Sequence, residues 1–210
     1  MQIQYFGHSC FLISGSKTVL TDPFDGIGFD LPRLTADYVL SSHNHFDHNA
    51  FFKVFGKMNV AFKVGAEESS PISLIGIPTF HDDAMGALRG ENVVYKFTLD
   101  GVTFMHLGDL GEQISAELFI RLGTADVLFL PVGGTYTIDY RQAKRLADGI
   151  KAKVVIPMHY KTPRSTVDVD PVDRFLSLCD GYQRADGPIE ITKDLLEGEN
   201  KVILMDCPDC

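Results

Sequence analysis

The most constraining feature of this sequence is a run of metal-binding side chains at positions 43–48, His-Asn-His-Phe-Asp-His. The run follows an apolar, strand-like segment, 38–41, and precedes a short predicted helix through Phe51. In an extended loop, His43 and His45 project to the same side and can bind one ion. A chain that turns into a helix presents Asp47 and His48 to a second ion. The spacing therefore predicts a binuclear metal site at the end of a strand.

The motif HxHxDH after a strand resembles the signature of the metallo-β-lactamase superfamily. The resemblance implies an α/β fold, a four-layer αββα sandwich with the metal site at one edge of two paired sheets. It also implies three further ligands, which follow in the order His, Asp, His. The sequence contains matching residues, and the similarity extends roughly from residue 3 to residue 160.

These further ligands are His81, Asp109 and His159, each of which follows an apolar run whose end would present it. The resemblance divides the ligands between two ions, with Asp109 between them. The first ion is assigned to His43, His45 and His81, and the second ion to Asp47, His48 and His159.

Three other polar residues, His8, Asp22 and His106, lie close to these motifs in the sequence. His106 competes with His81 for the first ion, but its position three residues before Asp109 places it on the opposite side of a regular strand. A bulge at Gly108 would weaken that argument. We expect all three to support the ligands, because metal-bound imidazoles need a hydrogen-bonding partner. The alternative is a buried polar His8 and a capped turn at Asp22.

The branch of the superfamily is also indicated by the motifs. Antibiotic-degrading members place a cysteine where this sequence has Asp109 and lack a counterpart of His48, so β-lactamase activity is not expected. The Gly-His-Ser at 7–9, the Thr-Asp-Pro at 21–23 and the segment 131–136 resemble the lactonase-like, uncharacterised metal-dependent hydrolases. The L-ascorbate-6-phosphate lactonase group is a known relative of that branch.

The expected chemistry is metal-dependent hydrolysis. Two adjacent divalent ions lower the pKa of a bridging water, and the resulting hydroxide attacks the substrate. We expect Asp47 and Asp109 to hydrogen-bond this nucleophile and to pass a proton to the leaving group. The softness of these ligands suits zinc, manganese, iron and nickel about equally well. Zinc or manganese is expected by default, with iron and nickel as alternatives.

The expected substrate is a small, anionic ester or lactone. Candidate substrate-binding residues lie near the last ligand loops; the alternative for all of them is ordinary loop surface. They are Tyr136, Tyr140, Tyr160, Lys161 and Arg164. The loops 24–33 and 82–91 contain glycine and adjoin ligand motifs, so we expect them to shape the pocket.

Three other functions stay open. The same metals can serve a phosphodiesterase or nuclease, an iron-dependent redox protein, or a sensor without turnover. The sequence shows no basic tract and has a formal net charge of −9, which disfavours nucleic acid as a partner. We therefore expect a small-molecule substrate, and homo-oligomerisation is left open.

Length and composition favour one metallo-β-lactamase-like domain over residues 1–210, because 45% hydrophobic residues can form one core and no linker or repeat interrupts the chain. The first residues lead into a strand rather than a signal peptide, and no apolar run approaches the roughly 20 residues that span a bilayer. We therefore expect a cytoplasmic protein without a membrane partner. The cysteines at 10, 179, 207 and 210 are expected to be reduced, and the last two to form an incidental tail.

The apolar patterns predict short strands, a hairpin and later helices. Strands are predicted at 3–6, 10–14, 18–21, 38–41, 127–132 and 154–158. Asp100-Gly101 indicates a type I′ turn between 93–99 and 102–107. Helices are predicted at 114–122, at 140–150 with a capping box from Asp139 and Gln142, and at 171–179 with Asp170 as its N-cap.

Overall fold

The structure, a computed structural model, describes residues 1–61, 64–66, 72–207 and 210. Its strands form a six-stranded and an eight-stranded sheet. The first sheet contains β1 (Gln2–Gly7), β2 (Cys10–Ser14), β3 (Thr18–Thr21), β4 (Leu34–Ser41), β5 (Val54–Ala61) and β13 (Ile189–Glu190). The second contains β6 (Gly65–Ala66), β7 (Ser73–Phe80), β8 (Glu91–Leu99), β9 (Val102–His106), β10 (Val127–Pro131), β11 (Val154–Met158), β12 (Gln183–Ala185) and β14 (Lys201–Met205).

Both sheets are mixed. In the order β13-β1-β2-β3-β4-β5, the strands from β13 to β3 pair antiparallel, and β3, β4 and β5 pair parallel. In the order β12-β14-β11-β10-β9-β8-β7-β6, the strands from β12 to β9 are parallel and those from β9 to β6 are antiparallel. Parallel strands need crossover connections, so this half of the second sheet carries the helices.

Three α-helices and one 3-10 turn complete the described structure. They are α1 (Ala116–Leu122), α2 (Tyr140–Ile150), α3 (Asp173–Leu176) and the 3-10 turn Phe51–Lys53. Helix α1 connects β9 to β10, and α2 connects β10 to β11, with its buried side chains facing the core. No helix in the described ranges is long and apolar enough to cross a bilayer.

The six-stranded sheet buries side chains on both of its faces, so the molecule has two hydrophobic cores. The two sheets pack face to face around the larger of these cores. Phe11 of β2 lies 4.4 Å, ring centroid to ring centroid, from Phe129 of β10, in the core between the sheets. Other residues of the six-stranded sheet, such as Leu20 of β3 and Val39 of β4, belong to a second core on its opposite face. This face is covered by four residues of the loop that follows β3, namely Phe24, Ile27, Phe29 and Leu31.

The predicted αββα architecture is confirmed, and several predicted elements are found at or near the expected positions. Asp100 and Gly101 have φ angles of 50° and 83°, as a type I′ turn requires. The capping box of α2 is present, with the Asp139 carboxylate accepting from the backbone N–H groups of Arg141 and Gln142 at 2.8 Å.

The third helix is shorter than predicted. Asp170 is not its N-cap: its backbone N–H donates to the carbonyl of Gly133 at 2.7 Å, and its carboxylate accepts from Arg174 at 2.7 Å. The helix instead begins after Val172, which has helical backbone angles and no capping side-chain bond. The tertiary contact to Gly133 thus overrides the local signal.

The expectation of four reduced thiols is wrong for one pair. Cys207 and Cys210 form a disulfide across Cα atoms that are 5.5 Å apart, within the range that a disulfide spans. Cys210 is buried against Phe6, whose carbonyl lies 3.7 Å from its sulfur. Cys10 and Cys179 are free thiols.

The capping box gives a test of how α2 is held. Replacing Asp139 with alanine removes the acceptor for two backbone N–H groups, so we expect the free energy of unfolding to fall by about 1 kcal/mol. Urea titration followed by circular dichroism measures this loss. The control D186A removes an exposed carboxylate outside the helices and should change the value by less than about 0.5 kcal/mol. Equal losses in both variants would contradict the capping role.

Candidate metal centre

Strand ends from both sheets meet at one edge and carry the predicted ligands. The loop after β4 carries the ligands at 43–48, and His81 directly follows β7. Asp109 lies three residues beyond β9, and His159 directly follows β11. His8 directly follows β1, and its carbonyl accepts a hydrogen bond from the His159 backbone N–H at 2.8 Å. Residues far apart in the sequence are therefore assembled by the sheet edges alone.

The ligand atoms form three overlapping groups that could each hold a cation. Within each group the ligand atoms lie within 4.8 Å of one another. The groups are His43, His45 and His81; His43, His48 and Asp109; and His8, Asp47, His48 and His159. All seven residues predicted as ligands belong to these groups. The division of the ligands into two neighbouring centres stays a prediction.

Asp109 lies between the two centres. Its Oδ2 is 3.2 Å from Nε2 of both His81 and His159, and its Oδ1 is 3.3 Å from Nε2 of His48. Burial raises the pKa of this carboxyl group, but His159 and His48 outweigh burial and hold the pKa well below its usual range. Asp109 is therefore an anion with imidazoles on two sides.

A hydrogen-bond chain behind the ligands orients two of the imidazoles. Asp22 accepts from His48 Nδ1 and from the Ser42 hydroxyl, both at 2.8 Å, and from the Ser42 backbone N–H at 2.8 Å. The Ser42 hydroxyl in turn accepts from His43 Nδ1 at 2.9 Å. Because each Nδ1 bonds to this chain, each Nε2 is the nitrogen that faces the other ligand side chains. Burial raises the pKa of Asp22, but His48 and His106 outweigh it and keep the pKa below its ordinary value.

His81 is oriented in the same way by a backbone group. Its Nδ1 donates to the carbonyl of Tyr136 at 3.0 Å, which leaves Nε2 free to face Asp109. A carbonyl oxygen can only accept, so the Nδ1 of His81 carries a proton.

His8 lies closer to the ligands than the sequence suggested. Its Nε2 is 3.2 Å from Asp47 Oδ2 and 3.1 Å from His48 Nε2, so it belongs to the same group as Asp47, His48 and His159. Burial, followed by the neighbouring His159, lowers the pKa of His8 to about 4. The neutral ring can donate its Nε2 proton to Asp47, or it can offer a lone pair to a cation.

His106 is turned away from both centres. Its Nε2 donates to the carbonyl of Ser9 at 2.9 Å, and its Nδ1 accepts from the Gly108 backbone N–H at 3.2 Å. Both ring nitrogens are thus used by the backbone, and Gly108, with a φ of 54°, carries the chain round to Asp109. His106 supports the loop that positions Asp109 and does not join the ligand groups.

Backbone conformations that side chains rarely adopt cluster at this edge. His8, Asp22 and His159 have φ angles of 54°, 38° and 53°. Gly133 has no room for a side chain, because a Cβ there would collide with the carbonyl oxygen of His159. Such strained conformations persist where the surrounding structure determines them and are typical of functional sites.

A cavity of about 520 Å³ opens beside the two centres. Its walls include five of the predicted ligands: His45, Asp47, His81, Asp109 and His159. Its apolar wall is formed by Ile27, Phe46 and Val167, and Phe46 is 63% exposed. The cavity therefore connects solvent directly to the metal-ligand side chains.

The five candidate substrate-binding residues are placed differently. Tyr136 lies on the cavity wall. Tyr160 and Lys161 line a separate cavity, and the Lys161 ammonium donates to two backbone carbonyls at 2.8 Å. Tyr140 packs against Arg141 and Arg174, and Arg164 is exposed; neither lines the cavity at the metal centre. Among the described residues these four therefore lie outside the cavity beside the metal-ligand side chains.

The two loops expected to shape the pocket do so. The loop 24–33 contributes Gly26 and Ile27, and the loop 82–91 contributes Arg89. Sequence reasoning did not name these residues individually, and it also missed Thr166, Val167 and Asp168, which come from the chain beyond the last ligand. All of these residues lie in glycine-containing or polar loops. Such loop sequence indicates an exposed segment but does not specify which of its side chains faces the cavity.

The donor atoms themselves fit divalent cations. His43 Nε2 and Asp109 Oδ1 are buried and have no hydrogen-bond partner within the described residues. Buried polar atoms are seldom left unpartnered, and both atoms face other ligand atoms rather than donors. Imidazole nitrogens and carboxylate oxygens in this number suit zinc, manganese, iron or nickel.

Comparisons with known proteins agree with this geometry. A family model described as a beta-lactamase superfamily domain matches residues 2–159. A UPF0173 metal-dependent hydrolase of Methanoregula boonei is 34% identical over 185 residues, covering 77% of this chain and 83% of the relative. A similar protein of Pyrococcus furiosus is 30% identical, covering 77% and 85%. A Thermotoga maritima crystal structure of a candidate Zn-dependent hydrolase matches with a TM-score of 0.81 and 40% identity over 97% of both chains.

The chain belongs to the metallo-β-lactamase superfamily. Within this superfamily it is a metal-dependent hydrolase.

The hydrogen-bond chain behind the ligands predicts a metal-binding defect. In D22N, one carboxylate oxygen that accepts from His48 and Ser42 is replaced by an amide, so the His48 ring loses its orientation. We expect metal affinity to fall about 10- to 100-fold. Competition with a chromogenic chelator measures this affinity.

The matched control is D25N, three residues along the chain, where the carboxylate pairs with Lys53 away from the ligands. Its affinity should equal that of the unmodified protein. Unchanged affinity in D22N, with a native circular dichroism spectrum, would show that Asp22 does not orient a ligand.

Proposed function

We propose that this protein hydrolyses a small, anionic carboxylic ester or lactone at a two-metal centre. The observation that carries the proposal is the position of Asp109 between two groups of imidazoles, at the base of a cavity of about 520 Å³. Two ligand groups that share a carboxylate are the arrangement that two-metal hydrolases use.

In this proposal the ligands divide between two ions as the sequence suggested. One ion would be held by His43, His45 and His81, and the other by Asp47, His48 and His159, with Asp109 available to both and His8 beside the second. When bound, such ions supply Lewis acidity that activates water near neutral pH and stabilises negative charge on the substrate oxygen. Zinc or manganese is the proposed metal, and the Thermotoga maritima relative, described as a candidate Zn-dependent hydrolase, supports zinc.

The proton transfers are assigned to the two carboxylates. Asp47 is half-buried, lies on the cavity wall and accepts from His8 at 3.2 Å, so it meets both solvent and substrate. We assign to Asp47 the transfer of a proton from the attacking water to the leaving oxygen. Asp109 is buried among imidazoles and lies on the cavity wall, which suits it to hold the water in place as a hydrogen-bond acceptor.

The cavity supports a small substrate rather than a polymer. Its volume is within the range of small-molecule sites, and its apolar wall of Ile27, Phe46 and Val167 can cover the organic part of an ester.

Metal content and substrate class can be measured together. We expect elemental analysis to give about two ions per chain after reconstitution with zinc or manganese. A panel of chromogenic lactones, carboxyl esters and phosphodiesters should show metal-dependent turnover of the first two classes. Turnover of phosphodiesters alone would replace the ester proposal with a phosphodiesterase. Oxygen uptake by iron-loaded protein without hydrolysis would favour the redox alternative, and fewer than one ion per chain would refute the metal centre.

The role of Asp109 has its own test. In D109N the shared carboxylate becomes an amide, so we expect hydrolysis to fall by at least about 100-fold and the metal content to drop below two ions. D168N is the matched control, because Asp168 lines the same cavity but lies outside the ligand groups. It should retain activity within about tenfold. Normal turnover and metal content in D109N would contradict the assignment.

A further inference from the structure

One carboxylate organises the loop between β7 and β8. Asp82 is 2% exposed, and its two oxygens accept four backbone N–H bonds. Oδ1 accepts from Ala84 at 2.8 Å and Gly86 at 2.9 Å; Oδ2 accepts from Leu88 at 2.9 Å and Arg89 at 2.7 Å. A carboxylate with both oxygens bonded in this way fixes the loop backbone around itself.

The loop is also fixed relative to the metal centre. The backbone N–H of His81 donates to the carbonyl of Gly90 at 3.1 Å, and that of Gly90 donates to Gly86 at 2.9 Å. The two ends of the loop are therefore joined beside a metal-ligand residue. Because His81 and Asp82 are adjacent, a shift of the loop would also move the ligand.

The organised loop places one cation on the cavity wall. Arg89 is half-buried, and its guanidinium carbon lies 5.6 Å from the ring centroid of Tyr136, a cation–π distance. Within the described part of the chain, the guanidinium has no hydrogen bond or ion pair with an acidic side chain. A positioned but unpaired arginine at a cavity has its donors available for a ligand.

The positive charge of Arg89 is opposite in sign to that of the carboxylates on the same cavity wall. The other charged side chains on its wall, apart from the imidazoles, are the carboxylates of Asp47, Asp109 and Asp168. Arg89 also lines a smaller recess of about 280 Å³ together with His43 and His45. The cation thus lies on the same side of the cavity as the first ligand group.

We propose that Arg89 binds a carboxylate group of the substrate, while Asp82 acts as a positioning residue that holds Arg89 over Tyr136. This inference rests on the proposed function, since it assumes that the bond to be cleaved lies at the metal centre. It assigns to the substrate an apolar body against Phe46 and a carboxylate beside Tyr136.

A carboxylate fits this site better than a phosphate monoester. The planar fork of one guanidinium matches two carboxylate oxygens. A phosphate dianion carries about twice the charge, and Arg89 is the one cationic side chain, apart from the imidazoles, among the described residues of the wall. The site therefore favours a monoanion.

A pair of esters of equal length separates the charge from the rest of the substrate. Mono-para-nitrophenyl glutarate carries a carboxylate where para-nitrophenyl pentanoate carries a methyl group. In metal-loaded protein we expect R89Q to lower kcat/KM for the glutarate ester about 10- to 100-fold, mainly through KM, and to leave the pentanoate ester unchanged. The metal content of R89Q should be unchanged. The matched control is R141Q, in which the lost arginine also stacks on a tyrosine, Tyr140, but lies outside the cavity.

Direct binding keeps the inference separate from hydrolysis. Calorimetry with glutarate and pentanoate should show that glutarate binds more tightly to the unmodified protein, and that R89Q removes the difference. If no ester is turned over, the proposed function fails, but this binding difference still tests Arg89. Equal effects of R89Q on both esters, or an unchanged glutarate preference in binding, would overturn the inference.

The positioning role of Asp82 is tested by the same pair of ligands. D82N exchanges one acceptor oxygen for a donor, so two of the four loop bonds are lost. We expect it to reproduce the glutarate-specific rise in KM seen in R89Q, while the double variant D82N/R89Q adds nothing further. A loss of the same size on both esters would assign Asp82 to support of His81 and would contradict its action through Arg89.

Discussion

The contact between the Asp109 carboxylate and imidazoles from both sheets is the interaction on which the rest of the site depends. A buried carboxylate is costly unless charges and hydrogen bonds compensate it. His48 reaches it from the six-stranded sheet, and His81 and His159 reach it from the eight-stranded sheet. Its own backbone N–H donates to Asn92 at 2.9 Å. The sheet edges must therefore lie in one relative position for this anion to be stable.

Other polar contacts near the centre hold the same position. The carbonyl of Ser9 accepts from His106, and that of Ser42 accepts from the Val93 backbone N–H at 2.9 Å. Each of these bonds joins the six-stranded sheet to the eight-stranded sheet. The non-polar core determines which faces pack, and these directional bonds determine how the edges align. Catalytic geometry and fold stability thus share the same contacts.

The parts of the fold and site that could be predicted were those specified by short segments. The run 43–48 carries its own spacing, and Asp139 with Gln142 specifies the start of α2 locally. Features set by distant contacts could not be predicted. The segment 54–61 lacks a clear alternation and forms β5 only by pairing with β4. Arg89 gave no signal, because its position depends on Asp82 folding the loop back and on Tyr136, 47 residues further along.

The distribution of the ligands along the chain has a consequence for biosynthesis. His8 precedes the last ligand, His159, by 151 residues, and the backbone of one bonds directly to that of the other. During translation the loop at 43–48 emerges early, but the partners that complete either ligand group emerge much later. A nascent chain therefore offers only fragments of the centre to cellular metal, and complete coordination follows the closure of both sheets. The order of synthesis thus predicts that the complete ligand set forms late, after the chain has acquired its native topology.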